Sequence, residues 1–130
     1  MPGHDARILQ QAYDDFAAGD VAAVLATFAD DVTFEIPGEH PASGTFTGHE
    51  EVLGFFAKLA ELTAGTFFVT AHEIFDNRTG TVVALCTIGG DRHGRSETFD
   101  VVHVWRFADG KAANLRDHNA QQAALNAFFS

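Results

Sequence analysis

The sequence has little cysteine, proline or positive charge. Its 130 residues include one Cys and three Pro, and 8 Lys and Arg stand against 18 Asp and Glu, which gives a formal net charge of −10. The lone Cys86 excludes an intrachain disulfide and, within an apolar run, is expected to be a buried inert thiol. The acidic balance argues against binding of nucleic acid or an anionic membrane, because those partners require clustered Lys and Arg.

Other absences narrow the class of protein. No stretch approaches 18 apolar residues, and the first residues lack the apolar segment of a signal peptide. We therefore expect a soluble, cytoplasmic protein. The sequence contains no H-E-x-x-H, no His, Cys and carboxylate set at metal-ligand spacing, and no dinucleotide or phosphate-loop fingerprint. It predicts neither a metal nor a cofactor.

Phenylalanine is abundant. The chain has 13 Phe within an apolar share of 46%, which exceeds what a minimal core requires. Its length matches one domain over residues 1–130. The apolar side chains beyond those needed for a core indicate a pocket with apolar walls or a subunit interface.

Hydrophobic periodicity predicts an α+β domain. Helical spacing covers 5–18, 20 to about 29 and 49–62, with Asp20 as the cap of the second helix. Alternation predicts strands at 32–36, 45–47, 66–75, 80–88, 97–107 and 111–119, and a short helix follows at 120–129. The glycine-rich segment 89–96 is expected to be a flexible hairpin loop. Helices followed by a strand meander should pack on one face of a curved sheet, and Val102 and Val104 on the other face suggest a homodimer interface.

The hairpin around Asp109-Gly110 carries the candidate chemistry. On its first strand, one face is apolar except for a single imidazole in its middle; the residues of this face are Phe99, Val101, His103, Trp105 and Phe107. A three-residue loop, 108–110, would place Asp117 on the same face, one diagonal step of roughly 7–8 Å from His103. A two-residue loop would send Asp117 to the opposite face.

Four segments resemble a known family: FAAGD at 16–20, FADDVTFEIPG at 28–38, SGTFTGHEEVLGFF at 43–56, and HVWRFADGKAANLRDHNAQ at 103–121. The chain is similar to the SnoaL-like, polyketide-cyclase-related family of the nuclear-transport-factor-2-like, ketosteroid-isomerase-like superfamily. The resemblance implies a cystatin-like cone in which three N-terminal helices and a short C-terminal helix pack on a curved, mostly antiparallel sheet. It also implies an apolar cavity and a homodimer formed through the outer sheet face.

The family's site residues carry over to two positions. The resemblance implies that a cavity-facing His, here His103, and an acid/base Asp, here Asp117, are catalytic. The expected substrate-binding residues are Tyr13, Phe16, Phe34, Ile36, Phe55, Phe56, Val101, Trp105 and Leu115. Tyr13 either turns its hydroxyl into the cavity or packs in the core. His40 either covers a pocket mouth or is an exposed loop residue.

The catalytic residue sets of two related groups of enzymes are absent from the sequence. Ile36 stands where steroid isomerases of this fold carry their catalytic base, and their helix-1 Tyr falls on Ala12, one place from Tyr13. The middle-strand Arg and Asp of epoxide-hydrolase-like members fall near Leu85 and Thr87. These departures leave Asp117 as the candidate acid/base residue.

Two functions fit these residues. A carboxyl group with apolar walls loses hydration, which disfavours its charged form and prepares it for proton transfer. His103 would orient it or donate a hydrogen bond to a carbonyl oxygen. The chain would then be a cofactor-independent cyclase, isomerase or dehydratase acting on a small apolar carbonyl compound. The alternative is a non-catalytic ligand-binding or dimerisation module in which the pair only fixes strand register.

Overall fold

The structure, a computed structural model, describes residues 3–130 and is a mixed α+β fold. The elements in chain order are α1 (His4–Ala17), α2 (Val21–Ala26), β1 (Phe28–Ile36), β2 (Gly44–Thr47), α3 (Gly48–Leu62), β3 (Phe68–Asp76), β4 (Thr81–Arg92), β5 (Arg95–Ala108), β6 (Lys111–Asn119) and α4 (Gln122–Phe129). The six strands form one sheet in the order β2-β1-β6-β5-β4-β3. The β1–β6 pair is parallel and the other pairs are antiparallel. The predicted fold class is thus confirmed.

The core lies between the helices and one face of this sheet. Helix α1 packs on β3 and α3 packs on β1, because each presents an apolar stripe at helical spacing. Leu9 of α1 and Val52 of α3 are 1% and 0% exposed. On β5 the alternate residues Phe99, Val101 and Trp105 are buried on the same face, as the alternation predicted. Within residues 3–130, no helix is both long and apolar enough to cross a membrane.

The second helix is shorter than predicted. Asp20 caps it as expected, because its carboxylate accepts a hydrogen bond from the Ala23 amide at 3.1 Å. The helix ends at Ala26 instead of near residue 29, because Phe28 already pairs with Ala112 in the sheet. Pairing in the sheet therefore overrides the helical apolar pattern at Phe28.

The glycine-rich segment 89–96 is strand and not the flexible loop that was expected. Strands β4 and β5 stay paired up to Arg92 and Arg95, and only two residues form the turn between them. A Cβ atom at Gly89 would lie 2.5 Å from the Glu97 carbonyl oxygen, and one at Gly90 would lie 2.9 Å from the side chain of Thr63, the residue after α3. The glycines therefore allow close packing within a regular hairpin.

Candidate active site

The β5–β6 hairpin turns through two residues. Asp109 and Gly110 both have positive φ, 53° and 76°, which is the backbone that a tight two-residue hairpin requires. Ala108 pairs with Lys111 on either side of them. The prediction of a three-residue loop is therefore wrong.

A β-bulge nevertheless keeps Asp117 on the face of His103. The register shifts between Arg106 and Phe107, where Ala113 is the extra residue on β6. One extra residue reverses the in-and-out alternation of everything that follows it, so the bulge cancels the effect of the shorter turn. His103 and Asp117 are direct cross-strand partners, and not the diagonal neighbours that the sequence suggested.

Two aromatic side chains, Tyr13 and Trp105, and the Cys86 sulfur surround one edge of His103. Trp105 donates its indole N–H to the Tyr13 hydroxyl oxygen at 3.0 Å, and this hydroxyl lies 2.7 Å from His103 Nδ1. The Cys86 sulfur is 3.6 Å from His103 Nδ1 and 3.7 Å from the Tyr13 hydroxyl. A buried Trp or Tyr needs a hydrogen-bond partner. Here the Tyr13 hydroxyl is the partner of Trp105, and His103 Nδ1 is the partner of Tyr13. The imidazole orientation is fixed from the helix side by Tyr13.

The other imidazole nitrogen faces the acid. His103 Nε2 lies 3.4 Å from Asp117 Oδ1, and the two side chains are 13% and 8% exposed. This distance is long for a hydrogen bond, and Oδ1 is buried without a hydrogen-bond partner in the described part of the chain. The carboxylate therefore keeps unused acceptor capacity.

The environment favours a charged His103. Burial by itself lowers the pKa of His103, but the Asp117 carboxylate and the Cys86 sulfur raise it, and the net pKa is raised to about 9. At neutral pH the imidazolium then carries a proton on both nitrogens, Nδ1 on the side of Tyr13 and Nε2 on the side of Asp117. Burial, reinforced by Cys86 and Asp117, raises the pKa of Tyr13 well above its usual value, so its hydroxyl stays neutral.

These groups form part of the wall of a largely apolar cavity of about 100 Å³. The polar lining residues are Tyr13, His40, His103, Trp105 and Asp117, and the apolar ones are Leu9, Ala12, Phe16, Val24, Phe28, Phe34, Ile36, Phe55, Phe56, Leu59, Phe67, Val69, Ile88, Leu115 and Leu125. The volume holds several waters and is smaller than the roughly 150 Å³ cavity that admits benzene in an engineered protein. A small ring or branched chain is the largest group that fits without side-chain movement.

The structure brings most of the predicted site residues together. All the proposed substrate-binding residues except Val101 line the cavity. Val101 is 3% exposed and lies in the core, outside the set of described residues that form the wall. Tyr13 reaches the cavity although it stands one place from the register that the family suggested, and Ala12 lines the cavity beside it.

Two further side chains reach this site. Cys86, expected to be a buried inert thiol, contacts both Tyr13 and His103. His40, expected either to cover a pocket mouth or to be an exposed loop residue, lines the cavity, and its Nε2 is buried without a partner among the described residues. No local pattern decides between the two positions of His40.

A polar groove of about 640 Å³ adjoins the cavity. Ile36 and Asp117 line both spaces, so the acid stands between the apolar interior and the groove. The other groove residues are Glu35, Pro37, Gly38, Ser43, Gly44, Thr45, Arg116, His118, Asn119 and Gln122. Across residues 3–130, no three His, Cys, Asp or Glu side chains are grouped so that they could hold a metal ion.

This geometry defines a class of protein. The same fold, a curved sheet with helices on one face, is found in solved structures described as cystatin-like and nuclear-transport-factor-2-like. Within that class the chain belongs to the SnoaL-like domain family, which it matches over residues 9–115. The match includes Tyr13 and His103 and ends before Asp117.

Individual relatives support the same placement. An uncharacterised protein of Mycobacterium tuberculosis is 28% identical over 126 residues, which are 97% of this chain and 96% of the relative. A nuclear-transport-factor-2-like protein of unknown function from Burkholderia pseudomallei has a TM-score of 0.88 at 28% identity and covers 99% of both chains. Bal32a, from a soil-derived mobile gene cassette, has a TM-score of 0.93 at 21% identity and covers 98% of this chain and 97% of its own.

Two further structures of this fold contain organic ligands. TerC was co-crystallised with polyporic acid and has a TM-score of 0.85 at 23% identity, covering 98% of this chain and 100% of its own. A Mycobacterium tuberculosis protein in complex with estradiol-17β-hemisuccinate has a TM-score of 0.78 at 21% identity, covering 93% of this chain and 98% of its own. At these identities the likeness concerns the fold alone.

Proposed function

We propose that this protein is a cofactor-independent acid/base enzyme of the cyclase, isomerase or dehydratase type. Its substrate is a small apolar carbonyl compound, Asp117 is the acid/base residue, and His103 is its partner. One observation carries this proposal: in the wall of an otherwise apolar cavity, a buried carboxylate sits opposite an imidazolium and keeps an unused acceptor oxygen. Buried acid and base pairs of this kind cluster at functional sites.

The proton transfer follows from the positions of these groups. Asp117 takes a proton from the carbon next to the substrate carbonyl, the C–H electron pair moves into the carbonyl, and an enolate oxygen forms. Return of the proton to another carbon completes an isomerisation. Attack of the enolate carbon on a second carbonyl carbon gives cyclisation, and the Asp117 proton passes to the alkoxide that forms. Departure of a β-hydroxyl group as water, with the proton supplied by Asp117, gives dehydration.

His103 acts here by holding the carboxylate. The sequence left open whether His103 orients Asp117 or donates to the substrate carbonyl. Both of its nitrogens already face protein groups, Tyr13 on one side and Asp117 on the other, which favours the orienting role. The surrounding apolar side chains exclude water and strengthen the electrostatic effect of each group.

The size of the spaces limits the substrate. A cavity of about 100 Å³ accepts a small apolar end that carries the reacting carbonyl, and the adjoining groove accepts a polar extension past Asp117. The complexes of related folds with polyporic acid and with estradiol-17β-hemisuccinate support an organic ligand for this protein.

Asp117→Asn tests the proposal. Exchange of the α-protons of small ketones for deuterium, followed by NMR, measures proton abstraction without knowledge of the natural substrate. We expect the variant to lose about 10²–10⁴-fold in rate while its circular dichroism stays that of the wild type. Asp100→Asn is the matched control, because Asp100 is an exposed carboxylate of β5 that lines neither the cavity nor the groove. Equal rates in Asp117→Asn and Asp100→Asn would end the proposal.

Binding without turnover is the second candidate. The chain of contacts from Trp105 through Tyr13 to His103 satisfies these polar groups without any substrate. In that case ligands would bind and no exchange above the uncatalysed rate would be seen in either variant or wild type.

We also propose a cytoplasmic homodimer that meets through the outer sheet face. Val102 and Val104 lie half-buried on that face, turned away from the cavity. Sedimentation equilibrium decides whether the mass in solution is that of one chain or two.

A further inference from the structure

His40 lies in the loop after β1 and is held there by its own neighbours. Its Nδ1 accepts a hydrogen bond from the Ala42 amide at 3.1 Å. Its backbone amide and carbonyl both bond the Ser43 hydroxyl, at 3.2 and 2.7 Å, and its ring packs on Phe129 of α4 with centroids 5.2 Å apart. The imidazole is therefore positioned before any ligand arrives.

These contacts decide which nitrogen carries the proton. Because Nδ1 accepts from Ala42, the neutral ring must carry its hydrogen on Nε2. Burial lowers the pKa of His40, partly opposed by the charge of Asp117, so the neutral form is present at pH 7. Nε2 lies on the ring edge away from the Ala42 amide and is buried without a hydrogen-bond partner among residues 3–130. His40 itself is part of the cavity wall. A buried donor without a partner is rare and requires an explanation.

The other donors of the cavity wall already face protein groups. Trp105 donates to Tyr13, the Tyr13 hydroxyl lies 2.7 Å from His103 Nδ1, and His103 Nε2 lies 3.4 Å from Asp117 Oδ1. A substrate carbonyl that gains negative charge needs an N–H or O–H donor, and the His40 Nε2–H, which has no hydrogen-bond partner among residues 3–130, is available for it.

We propose that His40 Nε2–H binds the carbonyl oxygen of the ligand. The two unsatisfied buried atoms are then complementary: His40 offers a donor to the oxygen, and Asp117 Oδ1 offers an acceptor to the acidic C–H or O–H beside it. The ligand class is a small cyclic or branched ketone, or its enol, with an acidic hydrogen next to the oxygen. This assignment rests on the proposed function for the identity of the reacting group, but its test measures binding alone.

The test compares cyclopentanone with methylenecyclopentane, two ligands of nearly equal shape that differ in the acceptor oxygen. Their dissociation constants are measured by ligand-observed NMR. The ratio of the two dissociation constants is corrected for the difference in how the ligands partition between water and a hydrocarbon solvent. After this correction, the wild type should bind the ketone roughly 3- to 10-fold more tightly, which is the effect of one hydrogen bond. His40→Phe keeps the ring volume and removes the donor. His40→Asn keeps an acceptor for the Ala42 amide, as in an Asx turn, but is too short to place a donor where Nε2 lies.

Loss of the ketone preference in both variants supports the proposal, and its persistence in either overturns it. A wild-type measurement covers the case in which a variant does not fold. The ¹⁵N resonance of His40 Nε2 should shift with cyclopentanone and stay in place with methylenecyclopentane, and an unmoved resonance overturns the proposal. Failure of the two proposals is distinguishable, because the His40 result is a binding ratio and the Asp117 result is an exchange rate.

Discussion

Raising the pH from 6.5 to 9 should destabilise this protein through one residue, His103. Its folded-state pKa is raised to about 9, against an ordinary value of 6.5. The folded chain therefore holds a proton that the unfolded chain releases in this range. The stabilisation is fully present below pH 6.5 and is lost as the pH rises through 9.

The size of this destabilisation follows from the folded-state pKa and the ordinary pKa of His103. At about 1.4 kcal/mol for each pH unit, the difference between 6.5 and about 9 amounts to about 3 kcal/mol of unfolding free energy. The His103 side chain is only 13% exposed, so solvent screening reduces this figure little. For a domain of this length the loss corresponds to a fall in melting temperature of about 10 °C.

The assay is guanidinium unfolding at several pH values, followed by fluorescence. Trp105 is the single tryptophan, is 4% exposed and bonds Tyr13, so its emission reports on the site itself. In Asp117→Asn the main group that raises the His103 pKa is gone, and the decline between pH 6.5 and 9 should nearly vanish.

Glu35→Gln is the control for this stability experiment, since hydrogen bonds from Asn114 and Arg116 lower the pKa of Glu35 and place its titration in acid. This variant should keep the wild-type slope. The reasoning is refuted if wild-type stability is flat or rises between pH 6.5 and 9, or if Asp117→Asn declines as steeply as the wild type.

Two further variants test the network and the bulge. Tyr13→Phe should destabilise the fold by about 2–4 kcal/mol, because Trp105 Nε1 and His103 Nδ1 both lose their partner; denaturant melts measure this, and a cost below about 0.5 kcal/mol would contradict it. Deleting Ala113 removes the bulge and turns Asp117 to the outer face, so we expect a loss of cooperative unfolding. A deletion variant with wild-type stability would show that the register does not depend on this residue.

Much of the fold could be predicted because it rests on local regularities. The stripe of α3 and the alternation of β5 follow from helical and strand geometry, and both elements lie close to where the sequence placed them. The inward face with His103 and Trp105 came from the same alternation. The second helix was too long in the prediction because Phe28 fits either pattern, and only its pairing with Ala112 decides between them.

The candidate site depended more on long-range contacts. The sequence left open whether His40 covers a pocket mouth or is exposed, since a loop histidine is exposed unless distant groups cover it. Here Phe129 packs on its ring, and Asn126 of the same helix accepts a hydrogen bond from the Glu39 amide at 3.1 Å. Those partners are more than 80 residues away along the chain.

The β5–β6 hairpin shows most clearly which features follow from the sequence and which depend on the tertiary structure. The sequence by itself determined that His103 faces inward and that Asp109-Gly110 forms a turn, because alternation and positive φ are properties of a few neighbouring residues. It could not determine that Asp117 meets His103. That depends on one extra residue, Ala113, in a strand that pairs with β5 on one side and β1 on the other, and a register that must satisfy two neighbours is set only when all three strands are in place.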